Sequence, residues 1–153
     1  MKKYILIIAV SFMTSLAFAQ SYTEEVDLIQ AAFGMAKKDI VSAFVQPSSS
    51  QSEAFWKLYD EYEITRKALG KERIALLEQF AQQYANMTSE QADDFTTKAL
   101  ALQKRTDKLI ATYYKKVRHI SDGLVATQFY QVESYILTGI RIELMEGLPF
   151  VQK

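Results

Sequence analysis

Proline stands only at positions 47 and 149, so 101 consecutive residues between them carry none. A proline inside a helix costs about 3 kcal/mol, and its absence over such a stretch leaves long helices unbroken. Glycine is also sparse, occurring only at 34, 70, 123, 139 and 147, and no Asn-Gly or Asp-Gly pair separates alternating apolar and polar runs. The usual signals of hairpin-linked strands are therefore missing. The chain reads as all-α.

The clearest periodic segment spans 89–119. Ala92, Phe95, Ala99, Leu102, Thr106, Leu109, Tyr113, Val117 and Ile120 recur at spacings of three and four, and all but Thr106 are apolar or aromatic. Such a heptad-like seam belongs to a helix packed on other helices. Lys98, Lys104, Arg105, Asp107, Lys108, Lys115 and Lys116 stand around the seam and suit the wet face. Three further helices are predicted, over 22–45, 51–85 and 122–146. The first has Val26, Ile29, Phe33, Ile40, Val41 and Phe44 as its apolar side, and Gly147–Pro149 stops the last. Gly34 and Gly70 fall inside predicted helices, where glycine costs about 1 kcal/mol relative to alanine.

Start signals divide these segments. Thr88, followed three residues later by Gln91, forms a capping box, with Met87 and Ala92 as a weak staple. Ser50 and Glu53 make a second box just after Pro47, and Ser121 is placed to cap the last helix with Ile120 and Val125 as staple.

The second helix carries an aromatic stripe. Phe55, Tyr59 and Tyr62 continue through Leu69, Leu76, Phe80, Tyr84 and Met87, and Trp56 and Leu58 widen the face. This is the inward face of a helical core, although tyrosine tolerates a wet edge and part of the stripe can meet a partner.

The first nineteen residues stand apart. Lys2 and Lys3 precede the apolar run Tyr4–Leu16, and Ala17, Phe18 and Ala19 end it with a small-residue cleavage pattern. This predicts a secretory leader cut between Ala19 and Gln20; the alternative, a retained anchor, needs about 20 apolar residues, more than this run offers. Residues 20–153 then form one helical domain. Without Lys2 and Lys3 the 18 basic residues become 16 against 18 acidic ones, a net charge near −2, which gives no electrostatic footprint for nucleic acid. The chain has no cysteine, so no disulfide staples an exported fold and no lipidated cysteine follows the leader. No later segment reads as a membrane span, and the protein is expected to be soluble outside the cytoplasm.

Enzyme signatures are wanting. The single histidine, His119, ends the seam helix, where a partly positive group suits the helix dipole. One histidine without cysteine does not assemble a familiar zinc site. Neither a Gly-rich phosphate loop nor a Gly-x-Ser-x-Gly elbow occurs. The carboxylate pairs Glu24/Glu25, Asp60/Glu61 and Asp93/Asp94 suit helix first turns or exposed faces, and the sequon at Asn86–Thr88 is better explained by capping. Neither a catalytic residue nor a cofactor is expected. The basic run Lys115–His119 is a solvated helix end or, on a sharper reading, a patch for acidic partners, unfolded chains or lipid head groups.

"MTSEQ", Met87–Gln91, fits an LTxxQ box with Met for Leu, "PSSSQ", Pro47–Gln51, is a degraded box, and Ile120 and Ser121 keep a remnant of a third. With the expected export and the cysteine-free helical length, this resembles the Spy/CpxP family of periplasmic proteins, over most of residues 23–146. The resemblance implies a curved helical hairpin that pairs as an antiparallel homodimer in the periplasm. It further implies an ATP-independent chaperone for unfolded envelope proteins, or an adaptor that restrains a sensor kinase. Metal-sensing relatives use histidine-rich segments, which this chain lacks. The candidate client contacts are Lys108, Tyr113, Tyr114, Lys115, Lys116 and Arg118. A purely structural helical dimer is the remaining alternative; a trimeric prong-type chaperone would need a β-rich assembly region and a basic chain.

Overall fold

A computed structural model describes residues 36–151. Among them the chain forms α1 (Lys37–Phe44), α2 (Ser49–Gln83), a single 3-10 turn (Tyr84–Asn86), α3 (Ser89–Ile120) and α4 (Gly123–Glu146), with no strand. The fold is all-α, and the three long helices begin and end within two residues of their predicted bounds. The expected leader, Gly34, and the part of the first helix that holds Val26, Ile29 and Phe33 lie outside the described residues. Within α1, Ile40 and Val41 are buried as predicted, but Phe44 faces solvent and Val45 takes the inward place. Among the described residues no helix is long and apolar enough to cross a membrane.

The helix starts correct two capping assignments and keep one. Thr88 caps α3: its Oγ1 accepts from the Gln91 N–H at 3.2 Å, and the Gln91 side chain accepts from the Thr88 N–H at 2.9 Å. At α2 the box is Ser48 with Gln51, the degraded motif, and not Ser50 with Glu53. Ser48 has the extended backbone an N-cap needs, and its N–H donates to Gln51 Oε1 at 3.1 Å. Starting there lets the helix run two residues earlier, directly after Pro47. At α4 the cap is Asp122, whose Oδ1 accepts from the N–H groups of Leu124 and Val125 at 2.8 and 3.0 Å. A carboxylate at the positive helix end outcompetes a neighbouring hydroxyl. Ser121 instead closes α3, its hydroxyl donating to the Val117 carbonyl at 2.6 Å.

α2 and α3 form a long antiparallel hairpin; α4 folds back along α3, and α1 packs on α4. The aromatic stripe is core: Phe55, Tyr59, Tyr62, Leu69 and Phe80 are buried, while Leu76 and Met87 are half-buried and Tyr84 lies at the edge. Tyr62 meets Tyr113 and Phe129 edge-on, each with ring centroids 5.3 Å apart, so one ring joins α2, α3 and α4. Each fully buried aromatic or branched side chain contributes roughly 1.5–3 kcal/mol, and Phe55, Tyr62, Val117, Phe129 and Ile136 concentrate that gain at the open end of the hairpin.

Unequal helix lengths shape the other end. α3 has 32 residues and α4 has 24; at about 1.5 Å per residue they span roughly 48 and 36 Å. Because α4 starts where α3 ends, it runs out roughly 12 Å short of the hairpin tip. The last stretch of the hairpin is therefore two helices thick, with apolar side chains that α4 does not reach.

Candidate functional site

Two features stand out: a buried charged cluster at the thick end and an apolar groove near the tip. In the cluster, Glu133 of α4 is fully buried, at 0 % exposure, and Lys37 of α1 is 7 % exposed. The Lys37 ammonium lies 2.7 and 2.8 Å from the two Glu133 oxygens, 2.6 Å from Glu63 Oε1 and 2.9 Å from the Tyr59 hydroxyl. Tyr59 and Tyr62 donate to Glu133 at 3.2 and 2.7 Å, and Arg66 grips Glu63 through Nε and Nη2 at 2.6 and 3.1 Å. Two cations thus balance two carboxylates across α1, α2 and α4.

Burial works against the Glu63 charge, but the Lys37 ammonium and the Arg66 hydrogen bonds more than offset it and hold the carboxyl below its ordinary range. Burial, then the Glu133 charge, pushes the phenols of Tyr59 and Tyr62 well up. Every charge in the cluster has its counter-charge inside it, so the arrangement docks α1 rather than offering an open reactive group.

The groove lies where α4 runs short. It holds about 400 Å³ and is walled by Leu76, Leu77 and Phe80 from α2, Phe95, Ala99 and Leu102 from α3, and Leu144 and Met145 from α4. Met87 and Leu148–Val151 also line it. Phe80 and Phe95 meet at a 30° tilt with centroids 4.5 Å apart. The rim is open: Met145 is 61 % and Phe150 88 % exposed although both line the groove. A cleft of about 300–1,000 Å³ with apolar walls and a few polar groups is the ordinary form of a binding site.

The residues predicted to contact clients divide. Lys108, Lys115, Lys116 and Arg118 are exposed on α3, with Lys108 and Lys115 two turns apart on one face. Tyr114 is half-buried and meets Tyr130 at 6.4 Å. Tyr113 is a correction: it is buried beneath Tyr62, on the seam that the periodicity itself had traced. Lys116 covers the outer face of that ring, its ammonium 4.3 Å from the centroid. These side chains form a wet basic ridge, not a pocket. His119 is exposed in the last turn of α3, and Asp60 and Asp94 pair at the surface with Lys38 and Lys98.

Neither the groove nor the charged cluster is marked by a motif in the sequence. Arg66 gave a signal, since it falls between Tyr62 and Leu69 at helical spacing on an otherwise apolar face. With the geometry in hand, comparisons give no relative: no family model, curated protein or solved structure matches this chain.

Proposed function

We propose that this chain is an exported, ATP-independent, chaperone-like protein that holds apolar segments of non-native envelope proteins. The observation that carries this reading is the apolar groove, with its open rim, at the tip of the hairpin. A site of this shape accepts side chains of an unfolded segment without requiring a chain end or a fixed sequence. Leader-like residues 1–19 support export to the periplasm, and the LTxxQ-like boxes at Thr88 and Ser48 support the likeness to Spy/CpxP proteins. An antiparallel homodimer belongs to the same reading, and sedimentation of residues 20–153 tests it. The activity is binding, with no enzymatic step and no cofactor.

The test dilutes a chemically unfolded client into buffer containing residues 20–153, without ATP, and follows light scattering. Suppression of scattering near stoichiometric concentrations supports the proposal, and its loss in Ala99→Trp, which fills the groove, assigns it to that site. No suppression by the folded wild-type chain refutes the general chaperone and favours an adaptor with one folded partner or a structural dimer.

A further inference from the structure

The groove's charge is one-sided. Among the described residues that line it, only Arg73 and Arg141 are charged, and none is a carboxylate. Both arginines also line a narrower space beneath it, beside Leu69, Leu137 and Ile140. Arg73 Nη2 donates to Thr106 Oγ1 at 3.5 Å, whereas Arg141 Nε is buried with no hydrogen-bond partner among the described residues. A buried guanidinium N–H left without an acceptor is a penalty that an incoming anion removes, and a carboxylate matches the guanidinium fork. The groove thus combines apolar walls with two arginines, of which the half-buried Arg141 has its Nε unpaired among the described residues.

Resting on the reading of the groove as the client site, we infer that its preferred occupant is an apolar polypeptide segment that carries an acidic side chain. The segment's apolar side chains lie against Leu76, Phe80, Phe95 and Leu144, and its carboxylate accepts from Arg141. Exposure of Met145 and Phe150 at the rim leaves room for the chain to continue out of the groove, as a segment of a longer client requires.

The test uses residues 20–153 and two fluorescein-labelled peptides rich in leucine and phenylalanine, identical except for one Glu or Gln, with binding read by anisotropy. The Glu peptide is expected to bind about tenfold tighter, the ordinary value of a charge-assisted hydrogen bond. Arg141→Gln is expected to equalise the two peptides with its helical circular dichroism retained, and Ala99→Trp to abolish binding of both. Equal affinity of both peptides for the wild-type chain, a comparison that needs no variant, overturns the acidic preference and leaves the client site standing. A preference that survives in Arg141→Gln overturns the assignment to that residue. Failure of both peptides to bind overturns the client site together with the inference.

Discussion

Replacing Lys37 with methionine isolates the contribution of the buried cluster. The substitution keeps the length of the side chain and deletes its charge. Glu133, fully buried, then keeps only the two phenol donors of Tyr59 and Tyr62, while Glu63 keeps Arg66. Breaking a buried ion pair by removing one partner costs about 3–5 kcal/mol. Because each stranded carboxylate retains a donor, the loss should fall at the low end, about 3 kcal/mol. Adding Glu133→Gln removes the stranded charge but leaves an acceptor for the phenols. The two substitutions should therefore be non-additive by about 1–3 kcal/mol, the double variant being more stable than the sum of singles implies.

Urea unfolding followed by Trp56 fluorescence measures this directly. Trp56 is the only tryptophan, and its ring lies 5.6 Å from that of Tyr59, inside the region disturbed. A Lys37→Met cost below about 1 kcal/mol, or strict additivity with Glu133→Gln, would refute the claim that the charges are a coupled buried unit.

Three further outcomes follow from particular contacts. Thr88→Ala and Asp122→Ala should each cost about 1 kcal/mol in urea unfolding, whereas Ser50→Ala should cost almost nothing, because the first two supply caps and the third does not. The folded-state value of Glu63 lies below its ordinary 4.5, so its stabilisation is present above that pH and is lost as pH falls below it; Glu63→Gln should flatten this acid limb. Tyr59 and Tyr62 are shifted up from an ordinary 10.0, so stability holds below pH 10 and declines as pH rises past it, which melting temperatures across pH 3 to about 11 would reveal. Leu102→Ala should cost about 2–5 kcal/mol as a core truncation, while Lys115→Gln should leave the melting temperature nearly unchanged.

The helices were legible because their signals are local. A proline-free run, a three-and-four spacing from Ala92 to Ile120 and the Thr88/Gln91 box each act within a turn or two of chain. The cap corrections arose where two candidates compete within a few residues, Ser48 against Ser50 and Asp122 against Ser121, and small differences in electrostatics and helix length decide. The charged cluster was hidden for a different reason. Lys37, Glu63 and Glu133 come from three helices, and hydrophobic periodicity treats each as a solvent-facing residue until tertiary pairing neutralises it. Tyr113 shows the opposite error: it stood both on the seam and among the candidate client contacts, and its seam position governed its burial. The groove has no local signature, because it follows from the length difference between α3 and α4 once they lie antiparallel.

The most direct measurement of the client-site claim places a photoactivatable benzoylphenylalanine at Met145, on the groove rim, or at Lys115, on the basic ridge, and irradiates each with an unfolded client. A client seated in the groove crosslinks at 145, Ala99→Trp removes that crosslink, and little forms at 115. Crosslinking confined to 115, or undiminished at 145 when the groove is filled, would contradict that claim.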